Sequence, residues 1–160
     1  MGSDLFGAYK KDDGTWSEPF RLPGKINTPF EEESPFLHPD GKSLYFSSNG
    51  HPGMGNLDLF VSQIDSTGKW GEPVNLGFPL NTHDDENSLI VEPAGDFALF
   101  ASDRNNINGD LDLWRVRLKE EVKPDAVGVL GGVVVDNATG ELLEADVILL
   151  NAESGELLAR

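Results

Sequence analysis

The chain has 160 residues, with 28 Asp and Glu against 12 Lys and Arg, and a formal net charge of −16. That balance argues against nucleic acid and anionic lipid as partners, since both call for a basic surface. Hydrophobic residues at 38% and charged residues at 25% suit a globular domain, or a domain and a half, rather than a disordered tail. Cysteine is absent, which removes disulfide and thiol chemistry, and no run of about 18 apolar residues could cross a membrane as a helix.

Met1-Gly2-Ser3 reads as an expression scar (residues 1–3), because a repeat begins at once with Asp4-Leu5-Phe6. That triplet returns as Asp58-Leu59-Phe60 and Asp112-Leu113-Trp114, a constant step of 54 residues. Residues 4–57 and 58–111 match without a gap at 18 of 54 positions, among them Trp16 and Trp70, Asn27-Thr28 and Asn81-Thr82, and Gly41 and Gly95. Each period carries the same signals in order. Short apolar-rich runs at 33–37 and 87–91 lead to Pro39-Asp40-Gly41 and Pro93-Ala94-Gly95, turns in which Pro presets φ and Gly tolerates a positive φ. Strand-like runs follow at 43–48 and 97–102. Gly- and Asn-rich loops at 49–56 and 103–110 come next, then strands at 57–64 and 111–118. A last strand, at 72–76, follows the turn around Gly68. There is no 3.6-residue periodicity, so the chain is expected to be all-β.

Four short antiparallel strands per unit of this length is the layout of a β-propeller blade, and a repeat of this kind cannot bury its apolar face alone. Residues 4–22 supply two outer strands of one blade, 33–76 a whole blade, and 86–118 the first three strands of another: a partial β-propeller over 4–118. The stretch from His38-Pro39-Asp40-Gly41 to Ser47-Ser48, followed by Gly55-x-x-Asp58-Leu59-Phe60, resembles the WD-repeat-like motif of TolB-type propellers. The Trp16–Leu22 and Trp70–Leu76 segments, with Asn27-Thr28 and Asn81-Thr82, make it similar to the propeller of multidomain OmpA-family envelope proteins.

Residues 119–126 are charged, contain Pro124, and read as a linker. From Gly132 to Val147 the pattern resembles the opening of a carboxypeptidase-regulatory-like β-sandwich, so 127–160 are expected to be an incomplete β-sandwich. The chain stops within a strand-like run, which suggests a piece of a longer protein. The resemblance implies a non-catalytic protein-interaction scaffold in the periplasm, associated with the outer membrane, of a kind that includes type IX secretion and gliding machinery. Peptidoglycan would be reached only through a further domain. The alternatives are an accessory propeller of a carbohydrate-active enzyme or peptidase, or a self-associating scaffold.

Positions that recur in both copies are read as scaffold: Asp58 and Asp112 as hydrogen-bond acceptors, Trp16 and Trp70 as packing anchors between blades, Gly41 and Gly95 as turn residues. Contacts to a protein partner are sought where the copies differ, at Glu31, Glu32 and Glu33 and at His83, Asp84, Asp85 and Glu86, whose acids could attract a cation or a basic peptide. The loop carrying Asp103, Asn105, Asn108 and Asp110 is oxygen-rich and would suit calcium, though Asn, Asp and Gly are equally what a hairpin connection uses. No nucleophile elbow, phosphate loop or His-Glu-x-x-His occurs, and no enzyme activity or resident cofactor is expected.

Overall fold

A computed structural model of the chain describes residues 2–23, 25–105, 108–128 and 131–159. The chain divides into two units, Met1–Gly128 and Val129–Arg160. In the first, β1 (Phe6–Gly7) pairs with β2 (Phe20–Arg21), both antiparallel and short. A four-stranded antiparallel sheet follows, in the order β3 (Glu32–Leu37), β4 (Ser43–Ser48), β5 (Asp58–Gln63) and β6 (Val74–Asn75). The third sheet contains β7 (Glu86–Val91), β8 (Phe97–Ser102) and β9 (Asp112–Arg117). The described residues are all-β apart from one 3-10 turn at Glu120–Val122.

The repeat is written into the main chain. Both β3 and β7 carry a bulge after Glu33 and Asn87, where Ser34 and Ser88 take φ of +49° and +56°. The extra residue interrupts the ladder locally and re-aims the strand, and pairing resumes at Phe36 and Ile90. Gly41 and Gly95, at φ +69° and +78°, close the hairpins into β4 and β8 as the turn chemistry demands.

Two apolar clusters lie between successive sheets. Leu5 and Ile26 meet Leu44, Phe46 and Phe60, with Leu22 and Trp70 packed alongside. One step later Leu59, Leu76 and Leu80 meet Leu89, Val91, Ala98 and Phe100, together with Tyr45 and Val61. Trp70 therefore does sit between the first two sheets. Trp16, at the first of the described sheets, is 65% exposed.

The charged stretch after β9 is docked rather than extended. Val122 is buried in the second cluster, and the Tyr45 hydroxyl, pushed above its ordinary pKa by burial, donates to the Val122 carbonyl at 2.7 Å. Asp125 N–H donates to Asp40, Lys42 Nζ reaches the Asp125 carboxylate at 2.5 Å, and Lys123 bridges Asp96 and Glu120. Composition marks this segment as polar, but its one valine and its main chain anchor it. Ser3 also takes part in the fold, since its carbonyl accepts Glu32 N–H at 2.9 Å as Leu57 accepts Glu86 N–H.

The second unit has a bulged hairpin, β10 (Leu149–Leu150) with β11 (Leu157–Ala159), and an isolated bridge between Val135 and Leu142. Val133 and Leu142 are 76% and 75% exposed. A segment this short cannot bury a core of its own.

Candidate functional site

The residues from 28 to 33 and from 82 to 87 are built around one buried carboxylate each. Glu32 accepts Thr28 N–H at 2.7 Å, Thr28 Oγ1 at 2.6 Å and Ser48 Oγ at 2.8 Å. Glu86 accepts Thr82 N–H at 2.9 Å, Thr82 Oγ1 at 2.6 Å and Ser102 Oγ at 3.2 Å. Both side chains are almost wholly buried, at 1% and 0%. Neither can touch a partner, which corrects the expectation for Glu32 and Glu86: a buried carboxylate is tolerable only when its lone pairs are filled from within. A sequence signal for this exists. Thr28, Glu32 and Ser48 all recur one step later as Thr82, Glu86 and Ser102, as scaffold positions should.

The clamp leaves its neighbours differently placed. Glu31 is exposed, and Asn49 holds its main chain by accepting Glu31 N–H at 2.9 Å. Glu33 is half-buried and accepts from Asn87 Nδ2. In the next copy His83 is exposed and lies 3.4 Å from the half-buried Asp84, while Asp85 accepts Leu57 N–H at 3.1 Å.

His83 and Asp84 stand at a pocket of about 520 Å³. Met54, Phe78, Pro79 and Trp114 give it apolar walls, and Thr82, Arg104 and Asn105 complete the lining. Phe78, 68% exposed, precedes Pro79 through a cis peptide. The pocket thus unites two sets of residues that the sequence holds apart, His83 with Asp84 and Asn105 of the oxygen-rich loop.

Arg104 fixes one wall. Its Nη1 donates to the Pro79 carbonyl at 2.6 Å, its Nη2 to the Leu80 carbonyl and to Glu86, and its Nε to Ser102. The guanidinium lies 4.9 Å from the Phe100 ring centre and 5.4 Å from that of Trp114. In the previous copy the same work falls to His51. Its Nε2 meets the Ile26 carbonyl at 2.9 Å, the counterpart of Leu80, and its ring packs on Phe46 and Phe60, the counterparts of Phe100 and Trp114. Sequence alignment could not show this, because Arg104 aligns with Gly50 and His51 with Asn105.

The calcium expectation finds no convergent donor set. Among the described residues no three His, Cys, Asp or Glu side chains are placed to hold a metal, and Asp103 Oδ1 is committed to Asp85 N–H at 3.0 Å. Asn105 lines the pocket with φ +62°, Asn108 and Asp110 are exposed, and residues 106 and 107 between them lie outside the described residues.

The aspartate triplet separates too. Asp58 is 1% exposed and its Oδ2 accepts Met54 and Gly55 N–H at 2.8 and 3.0 Å. Asp4 pairs instead with Arg21 at 2.8 Å, and Asp112 is exposed, which corrects its reading as an internal acceptor equivalent to Asp58. Gly53 closes on this site, where a β-carbon would stand 1.9 Å from Asp58 Oδ2. No protein-family model matches the chain, and no curated protein matches it significantly.

Proposed function

We propose that residues 4–118 form part of a β-propeller and act as a non-catalytic protein-interaction scaffold in the bacterial cell envelope, in the periplasm beside the outer membrane. In this reading residues 127–160 open a carboxypeptidase-regulatory-like sandwich, and the parent protein is of the multidomain OmpA type, with type IX secretion or gliding machinery as its setting. The observation that carries the interaction role is the pocket beside His83 and Asp84, an apolar hollow rimmed by a carboxylate and held by internally bonded loops. Aromatic and Met walls give area at low entropic cost, and the acid selects a basic group on the partner. Among the described residues no helix is long and apolar enough to cross a membrane.

The test is a photo-crosslinking residue placed at position 84 in cells that make the parent protein, with position 67 as the control. A discrete envelope-protein adduct at 84 and none at 67 supports the reading. An empty lane at 84, or an adduct that persists when His83 is replaced by Glu and Met54 by Asp, defeats it.

A second reading, an accessory module that binds sugars, is favoured by one observation: Trp16 is 65% exposed and free to stack on a pyranose face. Soluble oligosaccharides that quench tryptophan emission in the wild type but not in Trp16→Ala would establish it.

A further inference from the structure

The acids around the pocket are nearly all committed to the fold. Glu31 accepts from Asn49 Nδ2 and Glu33 from Asn87 Nδ2. Asp85 accepts Leu57 N–H, Asp103 accepts Asp85 N–H, and Glu32 and Glu86 are closed in their clamps. Asp84 is different. Among the described residues only the His83 ring approaches its carboxylate, at 3.4 Å, and no Lys or Arg pairs with it. Its side chain is only 28% exposed, so the carboxylate has given up part of its water without gaining a donor.

Arg104 lines the same pocket but does not supply that donor, because its guanidinium is spent on Glu86 and on the Pro79 and Leu80 carbonyls. Asp84 therefore stands as an unmatched negative charge beside the apolar walls of Met54, Phe78 and Trp114. The chain itself shows what fits such surroundings. Arg21 forks onto the Asp4 carboxylate at 2.8 and 2.9 Å, and the Arg115 guanidinium lies 3.5 Å from the Phe97 ring centre. A guanidinium does both at once: its flat, weakly hydrated face stacks on a ring while its edge presents paired N–H groups to a carboxylate. An ammonium is a compact, strongly hydrated point charge and cannot. The volume of about 520 Å³ leaves room for a second side chain, and exposed Met54 and Phe78 call for an apolar one.

We propose that this pocket binds an arginine side chain, presented by a partner protein next to an apolar residue. The guanidinium forks onto Asp84 and stacks on Phe78, and the apolar neighbour covers Met54 and the exposed part of Trp114. The inference rests on the reading of this pocket as the contact site, and it narrows the basic group selected there to a guanidinium. Arginine is also the cation enriched at the centres of protein interfaces, where an aromatic wall and a single partly desolvated acid give it both stacking and direction.

The experiment titrates the full, isotope-labelled chain with acetyl-Leu-Arg-amide, acetyl-Leu-Lys-amide and acetyl-Leu-citrulline-amide, and follows the indole N–H signals by NMR. Trp114 lines the pocket and Trp16 and Trp70 do not, so the Trp114 signal alone is expected to move. Half-saturation is expected at about 1–10 mM for the arginine peptide, a scale set by so small a ligand. The lysine peptide should bind roughly fivefold more weakly or worse, and the citrulline peptide, which keeps the shape without the charge, should not saturate. Asp84→Asn should weaken the arginine peptide roughly tenfold or more with an unchanged thermal melt, since that carboxylate holds no hydrogen bond of the fold. The citrulline comparison, read on the wild-type chain, keeps the test valid should the variant misfold. No saturable shift up to about 50 mM overturns the proposal. So does equal affinity for the arginine peptide and either of the others, or unaltered affinity in Asp84→Asn. A crosslinked adduct at position 84 without arginine binding removes this inference and leaves the scaffold reading; arginine binding without an adduct upholds it and removes the scaffold reading.

Discussion

Asn87 donates its side-chain amide to the Glu33 carboxylate at 2.8 Å, and the two residues hold the same place in successive repeats. His38 repeats the relationship, its Nε2 donating to the carbonyl of its own counterpart, Glu92, at 3.2 Å. On the other side of the buried ring Asp40 N–H meets His38 Nδ1 at 3.1 Å, with the Asp40 carboxylate 3.5 Å from the same nitrogen. The sheet of β3 is thus registered against that of β7 through equivalent positions.

The two carboxylate clamps should differ in strength. Glu86 also binds Arg104, at 2.9 Å, whereas the first copy has Gly50 at that position. Glu86→Ala leaves a largely buried guanidinium unpaired and is expected to cost about 3–5 kcal/mol. Glu32→Ala, which strands only neutral donors, is expected to cost about 1–3 kcal/mol. Urea unfolding of both variants checks the order; equal losses would mean that Arg104 contributes nothing through Glu86.

Gly53→Ala should destabilise by about 1–3 kcal/mol, because the added methyl displaces Asp58 from Met54 and Gly55 N–H. The double variant Gly53→Ala, Asp58→Ala should lose less than the sum of its parts. Additive losses in the melts would show that the close approach at Gly53 is not what holds Asp58.

Arg104→Lys is expected to cost about 1–2 kcal/mol despite keeping the charge, since one ammonium cannot serve two carbonyls and a carboxylate with a planar fork. His51→Ala should cost about as much through lost packing on Phe46 and Phe60 and the freed Ile26 carbonyl. Chemical denaturation measures both, and a neutral Arg104→Lys would contradict the bonding described.

Asp40 should make the fold acid-sensitive. Burial alone would raise its pKa, but hydrogen bonds from Lys42, Ser43 and Asp125 outweigh that and hold the carboxyl below its ordinary value. A depressed folded pKa means that the stabilisation is fully present above the unfolded value of about 3.9 and is lost as pH falls through the folded one. The melting-temperature gap between wild type and Asp40→Asn is therefore expected to be widest near pH 7 and to shrink below about pH 4. A gap independent of pH would exclude the carboxylate as its source.

Much of this protein was legible in the repeat. The strand positions of the three sheets and the glycine turns follow from comparing residues 4–57 with 58–111, whereas the shared reading of Asp58 with Asp112 and of Trp70 with Trp16 does not carry over to the second member of each pair. The sites were less so. Glu32 and Glu86 resemble any acid in an acidic loop until Thr28, Ser48, Thr82 and Ser102 are seen around them. The exchange of work between His51 and Arg104 is invisible to alignment because a long side chain one residue away reaches the same carbonyl.

The sequence by itself determined the period, the all-β class and the partition into strands and turns, because turn chemistry and side-chain alternation act over a few neighbouring residues. Only the tertiary structure decided which of three equivalent positions is buried. Leu59 and Trp70 pack into the clusters between successive sheets and Asp58 is bonded by Met54 and Gly55 N–H, while Leu113, Asp112 and Trp16 are exposed. Burial depends on what lies across an interface, and that information resides in no local stretch of chain.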